Sequence, residues 1–155
     1  MFETIVWATD GSELADRALE HVTALASCHH SRIVAIHANE MLGGRFGNAP
    51  LLADEPDLHT KIDRQVAELR KAGFEAELEV PAGGKDIPLL IANAAKDVGA
   101  DLIVVGTHGH GGIAATLLGS VARGLTHTAS CPVLVVPPPR EVEESETRQV
   151  TAAVD

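Results

Sequence analysis

At 155 residues the chain has the size of one domain with a proper apolar core. Apolar residues make up 45% and charged residues 22%, an ordinary globular balance. A net charge of −10 argues against a nucleic-acid partner, and 3% aromatics with no Tyr argue against base-stacking platforms.

Met1-Phe2-Glu3-Thr4 runs straight into a strand, with no secretory leader before it. No apolar run approaches the roughly 18 residues that span a bilayer, so the expected partner is not a membrane and the expected location is the cytoplasm. Residues 4–9, Thr-Ile-Val-Trp-Ala-Thr, read as the first strand. It ends in Asp10-Gly11-Ser12, where Ser12 is a natural helix cap. Leu14, Ala18, Val22 and Leu25 then follow at helical spacing. Asp10 stands at the carboxyl end of a strand, where open α/β sheets place their ligands, although it also suits a plain turn.

Residues 32–37, Arg-Ile-Val-Ala-Ile-His, form the second strand, followed by Ala38. Residues 39–55 read as a long connection containing Gly43, Gly44, Gly47 and Pro50, of the length that is usually functional or mobile. A helix begins at Pro56 with Asp54 as its cap, and Leu58, Ile62, Val66 and Leu69 give its apolar stripe. Lys61, Arg64, Arg70 and Lys71 read as its solvated face. Residues 75–80 alternate polar and apolar, as a half-exposed edge strand does. Ala82-Gly83-Gly84 makes a turn, and residues 86–98 form the third helix, stopped by Gly99.

Residues 102–105, Leu-Ile-Val-Val, read as a strand buried on both faces. Gly106 ends it, and Gly109, Gly111 and Gly112 follow within six positions. Helix four spans residues 120–128, with Val121, Leu125 and Thr128 on one face. Strand five, Pro132 to Val136, is closed by three prolines. Residues 140–155 are acidic, lack an apolar stripe and read as a disordered tail beyond a domain of residues 1–139. A strand, a glycine loop and a helix start together make an anion site, because free N–H groups and the helix dipole both favour negative charge.

The spacing Gly106-x-x-Gly109, then nine residues, then Gly119-Ser120 resembles the nucleotide motif of the universal stress protein family. Asp101-Leu-Ile-Val-Val-Gly-Thr-His-Gly before it and Cys131-Pro-Val-Leu-Val-Val after it resemble the same family, and the likeness covers residues 2–137. It implies an α/β fold, an open five-stranded parallel sheet of order 3-2-1-4-5 with helices on both faces, Rossmann-like, which sets Asp10 beside Gly106. It implies ATP, with magnesium, as the ligand. Ala8, Thr9 and Asp10 would contact adenine and ribose, and Ala38 would pack on the base. Gly106, Thr107, His108 and Gly109 would wrap the phosphates, and Gly119, Ser120, Val121 and Ala122 would line the helix start. Many ATP-binding relatives carry a hydroxyl where this chain has Ala122. The family often pairs through its fifth strand, so Pro132 to Val136 is the expected homodimer edge.

Two other motifs fail. Gly109-x-Gly111-x-x-Ala114 lies inside the loop, with no acid about 20 residues later. Gly84-Lys85 is followed by Asp86, where a phosphate loop needs Ser or Thr. The eight histidines show no metal spacing, so no metal is expected from protein ligands alone. Cys28 and Cys131 read as reduced, buried thiols. No nucleophile–base pattern stands out, so no catalytic residue is assigned. The resulting expectation is an ATP-binding stress-response switch in which the nucleotide orders the glycine loop and residues 39–55, and a protein partner reads the result. The rivals are a slow ATP hydrolase using His108 or His110, and an interaction module that takes AMP, a cyclic nucleotide or no nucleotide.

Overall fold

The computed structural model describes residues 1–38, 41–44, 47–50, 55–81, 85–109 and 118–139. Asp54, residues 82–84, His110, Gly111, Gly112, Ala114 and the tail from 140 lie outside them. Five strands, β1 (Thr4–Ala8), β2 (Arg32–Ile36), β5 (Ala76–Glu79), β6 (Leu102–Gly106) and β7 (Val133–Val136), form one parallel sheet in the order β5-β2-β1-β6-β7. Counting these five alone, the order is 3-2-1-4-5, as the resemblance implies.

Each central strand alternates between two cores. Ile5, Trp7, Ile33, Ala35, Leu102 and Val104 face α1 (Glu13–His29) and α2 (Glu55–Lys71). Val6, Ala8, Val34, Ile36, Ile103 and Val105 face α3 (Ile87–Asp97) and α4 (Ser120–Thr128). A strand covered on both sides has no polar face to keep, so β1 and β6 are buried throughout and, after Thr4, apolar. Each fully buried Ile or Val contributes about 1.5–3 kcal/mol.

Helix α1 seats on the sheet through Ala15, Ala18, Val22 and Ala26, while Leu14 and Leu25 flank the contact half-buried. The small residues permit a close approach, and the buried indole of Trp7 donates to Ala15 O at 2.9 Å. In α4 the buried residues are Ala122 and Leu125, not the expected Val121–Leu125–Thr128 stripe. Thr128 is exposed and its hydroxyl donates back to Gly124 O. Gly124 lies against Pro88, so α3 and α4 pack where a Cβ would not fit.

Residues 39–55 are more than a connection. They contain β3 (Met41–Gly44) and β4 (Gly47–Pro50), antiparallel, with Gly44 opposite Gly47. The glycines hid this pair, because neither strand shows an apolar–polar alternation. One helix α2 side chain leaves the solvated face assigned to it: Lys61 Nζ binds Gly11 O and Asp16 Oδ2, while Arg70 stays exposed and donates from Nε to Ala76 O. Both cysteines are free, but Cys28 is exposed rather than buried, because it falls on the outer side of α1. Cys131 is half-buried; burial and then the charge of Asp101 push its thiol above the ordinary range.

Asp101 ties the amino ends of β1 and β6 together. Its Oδ2 accepts from Glu3 N at 2.8 Å and Thr4 N at 3.0 Å, while its own N–H donates to Thr4 O. These hydrogen bonds, Thr4 first, hold the carboxyl below the usual carboxylate range. A depressed folded-state value means that the ion contributes stability above the unfolded value of about 3.9, and that the contribution is lost as pH falls through the lower folded value. Asp101→Asn is therefore expected to lower Tm at neutral pH and to flatten the acid limb of the Tm–pH curve. An unchanged acid limb would contradict this.

Candidate functional site

Strand order reverses between β1 and β6, and two turns meet at their carboxyl ends. The first turn follows β1. Thr9 is buried, its N–H bonds Ile36 O, and its Oγ1 accepts from Gly11 N at 3.1 Å. Asp10 Oδ1 accepts from Ser12 N at 3.0 Å, and Ser12 Oγ caps α1 by accepting from Ala15 N at 3.3 Å. Gly11 has φ +76°, and a Cβ there would stand 2.9 Å from Leu58 Cδ2. This one position needs glycine for both reasons. Behind the turn, His37 is 3% exposed and donates from Nδ1 to Thr9 O at 2.9 Å. Since the carbonyl can only accept, Nδ1 carries the proton. Sequence reasoning passed over His37; its only signal is a polar residue ending an apolar strand.

The second turn follows β6. Gly106 is buried against the backbone of α1, with Leu14 C 3.1 Å from where a Cβ would sit, so its role is helix packing as much as loop geometry. Thr107 N donates to Val136 O at 2.9 Å, and Thr107 O accepts from Gly119 N at 2.7 Å. One peptide segment thus fixes β6, β7 and the start of α4. Its hydroxyl is different: Thr107 Oγ1 is buried and has no hydrogen-bond partner among the described residues. A Cβ on Gly119 would approach Thr107 O to 2.8 Å, and one on Gly109 would overlap the Asp10 carboxylate.

The structure therefore brings Thr9, Asp10, Gly109, Thr107 and Gly119 to one crevice, although Asp10 and Gly109 are far apart in the chain. Asp10 both shapes its bend through Oδ1 and reaches Gly109 through Oδ2. Helix α4 starts without a side-chain cap, and its first bond runs from Arg123 N to Gly119 O. The N–H groups of Ser120, Val121 and Ala122 lie ahead of that ladder. The methyl group of Ala122 is turned into the same core cluster as Ala8, and Ala38 packs against that cluster from its edge. His108 is half-buried beside Gly109. Among the described residues, no three His, Cys, Asp or Glu side chains gather as a metal-holding group.

These features define an open, doubly wound α/β protein whose β1 and β6 turns meet at its topological switch point, where such folds place their ligands. The model of the Universal stress protein family matches residues 1–137, and the chain belongs to that family. A Thermus aquaticus relative, the universal stress protein in QAH/OAS sulfhydrylase 3'region, is 34% identical across 88% of this chain and 99% of its own. The solved structure of MJ0577, from Methanocaldococcus jannaschii, superimposes with a TM-score of 0.74 at 25% identity, covering 90% of this chain and 99% of that one. A universal stress protein from Archaeoglobus fulgidus, solved in complex with dAMP, matches at 27% identity and a TM-score of 0.64 over 88% of this chain and 98% of that one.

The two turn glycines should respond differently to a methyl group. Gly11→Ala forces a left-handed backbone and an overlap with Leu58, and should cost about 1–3 kcal/mol in urea unfolding. Gly109→Ala sits on the exposed side and meets only the movable end of Asp10. It should keep stability within about 0.5 kcal/mol while displacing that carboxylate, seen as a shift of the Ser12 amide resonance.

Proposed function

We propose that this chain binds an adenine nucleotide, ATP with magnesium, in the β1–β6 crevice and acts as a nucleotide-dependent regulator of a cytoplasmic stress response. The observation that carries the reading is Thr107: a buried hydroxyl with no partner among the described residues, on the segment that also anchors the start of α4. An unsatisfied buried hydroxyl costs about 1–3 kcal/mol, which a ligand atom in the crevice would offset. The dAMP complex of the Archaeoglobus relative supports an adenine nucleotide as that ligand.

Asp10 accepts from the ribose hydroxyls, while Ala8 and Ala38 offer apolar contact to the base. The N–H groups of Gly109, Ser120 and Val121 supply donors to the phosphates, with Ser120 adding a hydroxyl, whereas the Gly119 N–H expected among them is taken by Thr107 O. The chain is acidic, so local donors and the α4 dipole, rather than the overall field, favour the anion. Bound ATP supplies a polyphosphate charge that magnesium partly neutralises. A protein partner then reads the loaded face, which requires different affinities for the loaded and empty forms. A homodimer through β7 belongs to the same reading: β7 is an edge strand, and Leu134 on it is 38% exposed.

Freshly purified protein, denatured and analysed by chromatography and mass, should release stoichiometric ATP, and Asp10→Ala should release none while staying folded. No released nucleotide, together with no thermal shift on adding magnesium-ATP, AMP or cyclic AMP, would sink the reading. Thr107→Val gives a test by sign. Removing an unpartnered hydroxyl should leave the nucleotide-free protein as stable or more so, yet weaken nucleotide affinity about fivefold, the worth of one hydrogen bond near 1 kcal/mol.

A further inference from the structure

Helix α2 reaches the Asp10–Gly11–Ser12 turn with two side chains less than one helical turn apart. Leu58 packs under Gly11, and Lys61 Nζ donates to Gly11 O at 2.6 Å. The same ammonium group contacts Asp16 Oδ2 at 2.7 Å, and the other oxygen of Asp16 accepts from Gln65 Nε2 at 2.8 Å. Gly11 is also the residue whose N–H binds Thr9 Oγ1. Its neighbours are Asp10, which faces Gly109, and Ser12, which caps α1. Gly11 is thus held at its N–H by Thr9, just past β1, and at its carbonyl by α2.

We propose that Lys61 is a positioning residue of the nucleotide site, fixing the Gly11 carbonyl so that the Asp10 carboxylate is presented to Gly109. This rests on the nucleotide reading above. The lysine touches neither crevice wall itself; it acts through one peptide. The side chain is held at both of its contacts, since Asp16 neutralises the charge and Gln65 orients Asp16. A lysine with only a solvated role would need none of these partners. Through Lys61, the placement of α2, which follows the β3–β4 hairpin in the chain, is coupled to the nucleoside end of the site.

The test compares Lys61→Met, Lys61→Arg and, as a control on the exposed face of the same helix, Arg64→Met. AMP and magnesium-ATP affinities are measured by calorimetry, and the Ser12 and Gly109 amide resonances are recorded in nucleotide-free protein. Lys61→Met should weaken both nucleotides about fivefold or more and move both resonances. Lys61→Arg, which can still donate to both acceptors, should restore affinity and resonances, and Arg64→Met should change neither. Affinity within about twofold of wild type in Lys61→Met, or a Gly109 resonance that does not move, overturns the proposal. If Lys61→Met does not fold, Asp16→Asn is measured in the same two ways, and unchanged values there overturn it. A wild-type protein that binds no nucleotide overturns the proposed function instead, and the two amide resonances then decide the role of Lys61 alone.

Discussion

The parallel pairing of β1 with β6 sets Ala8 opposite Val105, and the site depends on that register. Each strand then delivers its own turn to the same height, one carrying Asp10 and the other Thr107 and Gly109. A shift of one residue would exchange the two core faces of β1 and expose apolar side chains to the wrong helices. The burial of Ile5, Val6, Trp7 and Ala8 therefore holds the chemistry in register as well as stabilising the fold. Asp101 does the same work at the opposite end of the pair, where its carboxylate bridges to Glu3 and Thr4.

Glycine acts in three different ways along these turns. Gly11 supplies a backbone conformation that other residues adopt poorly. Gly106 lets α1 lie directly on the end of β6, and Gly109 leaves room for the Asp10 carboxylate. A motif that reads as one signature thus combines two steric requirements, one for a helix and one for a side chain. Thr107 shows the same economy, since its backbone is engaged on both sides while its hydroxyl has no partner among the described residues.

The strands were legible because a sheet buried on both faces demands continuous apolar runs, and those of residues 5–8, 33–36 and 102–105 are unmistakable, whereas their order came from the family resemblance. The two turns were legible from glycine spacing and from the Asp-Gly-Ser cap. What escaped depends on three-dimensional proximity. Lys61 has the spacing of a solvated helix face, and only the fold brings Gly11 to meet it. His37 looks like an ordinary strand end until Thr9 O appears at 2.9 Å. The face of α1 was read correctly at Ala18 and Val22, but its small members Ala15 and Ala26 were missed because hydrophobicity ranks leucine above alanine, whereas close packing on a sheet ranks size first. The β3–β4 hairpin has no periodic signal to read.

Trp7 is the chain's one tryptophan, fully buried near the carboxyl end of β1, with its indole N–H on the carbonyl of Ala15. Ala15 is also the residue whose N–H binds the Ser12 cap next to Asp10. The protein therefore carries its own optical probe at the seat of α1, one short covalent path from the crevice. Its emission colour follows solvent entry into that seat, and its intensity follows the geometry of the indole–carbonyl contact. Any movement of α1 that begins at the Asp10 turn is written into the fluorescence of a single, unlabelled side chain.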